Sequence, residues 1–132
     1  MEKIITAVSG RKKTLTRLSR NSKLFKSIIN AIKDKKGENI YSLDLRKIDE
    51  AVADFFIVCE ANSHIQLKAI ADNIAYAVEE ECDEKPFHTE LGLQWTLVDY
   101  VNVVVHIFQK EQRKFYNLES LWADADGMEH ND

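Results

Sequence analysis

Three acids, Asp44, Asp54 and Asp99, fall in stretches that read as strands, and His106 sits near the end of "WTLVDYVNVVVHIF". Carboxylates gathered on a sheet could hold divalent cations against a phosphate and drive phosphoryl or nucleotidyl transfer. That chemistry asks for paired carboxylates and a glycine-rich turn ahead of a helix to cradle the phosphates. Neither is present: no two of these acids stand two apart on one strand, and the strand-to-helix turn reads "CEANSHIQ", without glycine. Cys59 and His106 have the residue types of a thiol–imidazole pair. A cysteine inside "FFIVCE", however, reads as an inert core residue. His64, His88, His106 and His130 are scattered without ligand spacing, and so are Cys59 and Cys82. "DADG" (Asp124–Gly127) opens like a calcium loop but lacks the downstream glutamate. These residues therefore predict no catalytic group, no metal and no cofactor.

The same residues can instead make a surface. On an extended strand Trp95, Leu97 and Asp99 share one face and Thr96, Val98 and Tyr100 the other. On the next strand Val103, Val105 and Ile107 oppose Val104, His106 and Phe108. A face with tryptophan, carboxylate and imidazole set among valines has the composition of a binding patch. It has equally the composition of a core edge capped by Trp95, with His106 hydrogen-bonded to a buried carboxylate.

The elements that must position these residues are legible from periodicity. Asn21 and Ser22 can cap a helix to about Lys36, with Leu24, Phe25, Ile28, Ile29 and Ile32 on one face and Gly37 at its stop. "NIYSLDL" (Asn39–Leu45) alternates and predicts a first strand. "DFFIVCE" (Asp54–Glu60) is apolar nearly throughout and predicts a central strand covered on both faces. "SHIQ" (Ser63–Gln66) is a capping box opening a helix that carries Leu67, Ile70, Ile74 and Val78. That helix ends in Glu79–Glu81, an unfavourable charge for a helix C-terminus. After Pro86 come two strands, Gln94–Tyr100 and Asn102–Phe108, joined by a tight bend. "RKFYNLESLWADA" predicts a short C-terminal helix, and the polar residues 126–132 a disordered tail. The sum is one layered α/β (α+β) domain at residues 22–125: a mixed β-sheet with helices packed on it.

The chain has 132 residues and a net charge of -4, distributed unevenly. Residues 1–26 carry eight Lys and Arg against Glu2 alone, so an arm over residues 1–21, expected to be flexible, is basic and the remainder acidic. Arg11, Lys12, Lys13, Arg17 and Arg20 are candidates for RNA phosphate contact; a solvated tail fits the same charges. No segment has signal-peptide or membrane-spanning character, which leads us to expect a cytoplasmic protein.

Two blocks carry a resemblance. "VADFFIVCEANSHIQLKAIADNI" and "WTLVDYVNVVVHIFQKEQRKFYNLESLWADA" are similar to the signature of the ribosomal silencing factor family, also called Iojap or RsfS. In the second block the matching positions are Trp95, Asp99, Val104, Val105, His106, Phe108, Arg113, Tyr116, Leu118, Glu119, Leu121 and Trp122, and the likeness spans about Ser22 to Ala125. The resemblance implies a nucleotidyltransferase-like fold without its catalytic residues. It implies binding to the large ribosomal subunit through its L14-type protein, where the bound factor sterically blocks the small subunit and represses translation under nutrient limitation. It also implies dimers when free. On this footing Trp95, Asp99, His106 and Phe108 are the expected partner-binding residues, with Asp54 and Tyr100 next. His106 is expected to be neutral and hydrogen-bonded to Asp99 or Asp54. Arg113, Tyr116, Glu119 and Trp122 are expected to hold the C-terminal helix on the sheet. The alternatives are a nucleotide-binding or nucleotidyltransferase-type enzyme and a general RNA-binding module. Two segments depart from the family pattern. Leu91 stands between Glu90 and Gly92 in a shortened "TELGLQW", and Val101-Asn102 replaces Gly-Asp, which predicts a differently shaped hairpin.

Overall fold

The structure, a computed structural model, describes residues 18–48, 51–115 and 125–131. Helix α1 spans Lys23–Asp34 and buries Leu24, Phe25, Ile28, Ile29 and Ile32, the predicted face. Its end is a Schellman motif: the Lys36 N–H donates to the Lys33 carbonyl and the Gly37 N–H to the Ile32 carbonyl, both at 3.0 Å. The left-handed residue is Lys36 (φ 62), not Gly37. Gly37 is needed for space, because a Cβ there would lie 2.4 Å from the Ile32 Cγ2.

Strand β1 follows at Glu38–Asp44 and strand β2 at Phe55–Ala61. All seven residues of β2 are buried, as a central strand requires. Helix α2 spans His64–Cys82, and the Ser63 side chain accepts from the Gln66 N–H at 3.1 Å. The Gln66 side chain does more than close a capping box. Its Oε1 accepts from the Asn62 N–H (2.7 Å), and its Nε2 donates to the carbonyls of Lys35 and Lys36 (3.1 and 3.0 Å). It thereby ties the start of α2 to the end of α1. The two helices run antiparallel, with Asn73 donating to the Ala31 carbonyl (2.9 Å) and Ser27 to Glu81 (3.1 Å). The acidic end of α2 is accommodated by that serine, by Lys85 at 3.7 Å from Glu79, and by Asp83 in the left-handed region with its N–H on the Glu79 carbonyl.

Strand β3 (His88–Glu90) comes next, then β4 (Trp95–Asp99), β5 (Val103–Gln109), helix α3 (Lys110–Phe115) and β6 (Asp126–Glu129). The sheet order is β3-β4-β5-β2-β1-β6, antiparallel except for the central β2–β5 pair. One sheet face carries Phe55, Ile57, Cys59, Val98, Val103, Val105 and Ile107 against α1 and α2. The other carries Leu43, Phe56, Val58, Leu97, Val104 and Phe108, packed with Leu45, Ala51 and Ala53. The mixed sheet with helices on it is the expected fold class. No helix among the described residues is long and apolar enough to cross a membrane.

Three expectations change. β3 stands where the sequence predicted no element; it forms because His88, Thr89 and Glu90 pair with Asp99, Val98 and Leu97. The polar tail from Asp126 is not disordered over its first residues: β6 pairs with Tyr41–Asp44 of β1. Gly127 permits this, since a Cβ there would lie 1.8 Å from the Tyr41 hydroxyl, and the Asn131 side chain accepts from the Ile40 N–H at 2.7 Å. Finally, α3 begins immediately after β5; the rest of the predicted C-terminal helix, with Tyr116, Leu118, Glu119, Leu121 and Trp122, lies outside the described residues. Arg113 does anchor α3, meeting Glu60 at 3.4 Å and also donating to the Asn39 carbonyl.

Candidate functional site

The expected grouping of faces holds along β4 and β5. Leu97 pairs with His106 and Trp95 with Phe108, so the indole, imidazole and phenyl rings share the face away from α1 and α2. Their depths differ. Asp54, Asp99, His106 and Phe108 have no exposed surface, and Tyr100 almost none. Only Trp95 is half-buried. Five of the six expected contact residues are therefore interior, and in this conformation they can shape a surface without touching what lies on it.

His106 has the ring of Phe56 edge-on at 4.7 Å, Trp95 at 6.2 Å and Phe108 at 6.4 Å. Neither ring nitrogen has a hydrogen-bond partner. The expected bond to Asp99 or Asp54 is not made, because the imidazole's surroundings are aromatic and aliphatic. Burial alone pushes its pKa down to about 3, so the ring is neutral. Asp99 is occupied locally, accepting from the Val101 N–H at 2.7 Å. Asp54 accepts from the Leu18 N–H at 3.2 Å. Tyr100 points to the helix side, where burial raises its pKa. Cys59 is buried on the helix side with its thiol pushed up to about 12, which makes it inert, and it does not share a face with His106. Among the described residues no group of three or more His, Cys, Asp or Glu could hold a metal ion.

The β4–β5 bend keeps a glycine-type backbone despite the loss of glycine. Val101 has φ 73, and the Asn102 N–H donates to the Tyr100 carbonyl at 2.9 Å, closing a γ-turn of the strained, positive-φ kind. The Asp99 carboxylate and the Tyr100 N–H to Val103 carbonyl bond (2.8 Å) hold this turn from both sides.

Arg11, Lys12, Lys13 and Arg17 lie outside the described residues. Arg20 is built into the fold. It donates to the Ser42 hydroxyl (2.8 Å) and the Asp126 carbonyl (2.9 Å), and its guanidinium lies 5.5 Å from the Phe55 ring centre. It therefore joins the β1–β6 edge to the core and is not free for RNA.

The residues that reach solvent were missed. Phe87, Leu91 and Leu93 are 64, 63 and 71 % exposed and flank β3, the outermost strand on this side. The signal was three apolar residues, Phe87, Leu91 and Leu93, set among polar ones after Pro86; the pairing of Thr89 with Val98 and Glu90 with Leu97 puts Phe87 on the helix side of the sheet, opposite Trp95. The backbone under these side chains is firmly held. The Gly92 N–H donates to the Thr96 hydroxyl, which donates back to the Gly92 carbonyl, both at 3.2 Å. Gln109 donates to the Leu93 carbonyl through its side chain (2.6 Å) and to the Gln94 carbonyl through its backbone (2.8 Å). A Cβ on Gly92 would sit 2.4 Å from the Trp95 carbonyl oxygen, so the shortened segment needs its glycine. A cavity of about 100 Å³, lined by Glu90, Leu91, Gly92, Trp95 and Leu97, opens beside the indole. The result is a pair of exposed leucines, Leu91 and Leu93, beside a strand that is outermost among the described residues, with Leu91 lining the cavity at the Trp95 indole. Exposed apolar side chains beside a half-buried indole have the composition of a protein-docking surface.

The family described as "Ribosomal silencing factor during starvation" matches residues 19–132. The chain belongs to this family. It is 39% identical over 110 residues to ribosomal silencing factor RsfS of Halalkalibacterium halodurans, covering 83% of this chain and 93% of that protein. It is 41% identical over 100 residues to RsfS of Bacillus subtilis, covering 72% and 80%. The chloroplastic protein Iojap of Zea mays is 37% identical over 75 residues, 57% of this chain and 33% of that one. A crystal structure of a Chromobacterium violaceum protein matches with TM-score 0.69 at 32% identity, covering 76% of this chain and 83% of that one. One from Bacillus halodurans matches with TM-score 0.67 at 37% identity, covering 77% and 95%.

Proposed function

We propose that this ribosomal silencing factor acts in the cytoplasm without catalysis, by docking on the L14-type protein of the large ribosomal subunit and blocking its association with the small one. Translation is then repressed when nutrients are limiting. Membership in the family supports the ribosomal partner. The observation that carries the docking surface is the exposed pair Leu91 and Leu93 beside β3, the outermost strand among the described residues, with Leu91 sharing a cavity with Trp95. The side chains are already exposed and their backbone is already ordered, so binding costs little conformational entropy. Trp95 is the anchor, Phe108 and His106 are the floor under it, and Asp99 fixes the bend at the far end of the strand.

Cosedimentation with purified large subunits tests this reading. Leu91→Ser with Leu93→Ser removes two exposed side chains that the fold does not use. Losing two buried leucines from an interface, at about 1.5–3 kcal/mol each, would weaken binding roughly 100-fold or more. Undiminished binding by the variant would show that the leucine pair is not the docking surface.

A further inference from the structure

The exposed face of α1 has a charge pattern that docking at β3 leaves unused. Lys23, Lys26, Asn30 and Lys33 are exposed at spacings of three, four and three residues, and Lys35 and Lys36 continue the row past the helix end. Five lysines stand there with one acid, Asp34, in a chain whose net charge is -4. A face that serves only solubility mixes its signs, as α2 does where Lys68 meets Asp72 at 2.7 Å one turn on. α1 has no acidic residue in its first turn; it places Lys23 and Lys26 there, against the helix dipole. Local stability is given up for charge placement, which is the pattern of a binding surface.

We infer that the lysine row of α1 is a contact surface for the phosphate backbone of an RNA duplex. This rests on the ribosomal reading above and adds to it a second surface on another side of the molecule. The chemistry selects the partner. From Lys23 to Lys33 the helix rises about 15 Å, enough to follow several phosphates of one strand. No aromatic residue is exposed on α1 to stack an unpaired base, as single-strand binding requires. No apolar residue is exposed there to enter a bilayer. Lysines are point charges that meet phosphates without reading bases, so the contact is positional and sequence-independent.

The test compares the full chain with Lys23→Gln/Lys26→Gln/Lys33→Gln/Lys35→Gln, measuring affinity against salt for a short RNA duplex and for purified large subunits. The slope of log affinity on log salt should fall by about 3 units for both, from the loss of three to four phosphate contacts. An unchanged slope in a variant that melts like the wild type overturns the inference. So does weaker binding to isolated L14-type protein with duplex binding intact, which would make the row a protein contact. If the four-fold variant melts early, Lys23→Gln/Lys26→Gln carries the same comparison with about half the slope change. Should the wild type bind the duplex through these lysines yet ignore large subunits, the surface stands and the ribosomal reading falls.

Discussion

The indole of Trp95 lies on the ring of Phe108, centroids 5.2 Å apart and planes 21° from parallel. One ring is half-exposed and the other has no exposed surface, so the stack joins the proposed docking surface to the core. Phe108→Ala should therefore do two things. It should cost about 3–5 kcal/mol of stability, as expected for emptying a packed aromatic site. It should also weaken large-subunit binding under conditions where the variant is still folded, because Trp95 loses its platform. Chemical denaturation and cosedimentation check these separately. Full stability loss with unchanged binding would mean that the stack has no part in docking.

The buried imidazole makes stability depend on pH. In the unfolded chain His106 titrates near its ordinary value of about 6.5; folded, burial lowers it to about 3. The unfolded state thus binds the extra proton first. Stability from this group is complete above about pH 6.5 and is lost as pH falls toward 3, by about 1 kcal/mol per pH unit. Because no hydrogen bond is broken, His106→Leu should flatten this slope between pH 6.5 and 4.5 at little cost at pH 7.5. An equal slope in wild type and variant, measured by urea unfolding at several pH values, would place the acid sensitivity elsewhere. Asp44 adds a loss of the same sign at lower pH. Burial raises its pKa, but the hydrogen bonds and charge of Arg46 outweigh that and hold it below the usual carboxylate range.

Val101 stores strain at the β4–β5 bend. A β-branched residue at φ 73 is held there by the Asp99 side chain and the flanking backbone bonds. Val101→Gly relieves a cost of about 1–3 kcal/mol, partly offset by the greater freedom of glycine in the unfolded chain. The expected result is a higher melting temperature. A lower one would show that the valine side chain contributes more by packing than its backbone costs.

What the sequence disclosed, and what it hid, follows from how local each cause is. β2 was legible because "FFIVCE" is apolar on both faces, and the start of α2 because Ser63 caps within three residues. β3 and β6 were not, since two short segments without an apolar alternation form strands there only through partners elsewhere: Asp99, Val98 and Leu97 for one, Tyr41–Asp44 for the other. The face shared by Trp95, His106 and Phe108 followed from alternation alone, but depth did not, and so buried residues were taken for contacts. His106 was expected to find a carboxylate because imidazoles usually do; here the neighbouring strand and its own offer it Phe56 and Phe108 instead. The exposed leucines lay in a stretch where no element was expected, and there Gly92 serves a close backbone approach that keeps them in place.

We propose that the exposed leucines beside β3 keep the two ribosomal subunits apart. That role is tested most directly by sucrose-gradient sedimentation of purified large and small subunits after the protein has been added to the large ones. The account predicts that wild type leaves the subunits separate in proportion to its occupancy, and that Leu91→Ser/Leu93→Ser, at the same concentration and equally folded, lets them join. Joined subunits in the presence of saturating wild type, or a double variant as inhibitory as the wild type, would contradict it.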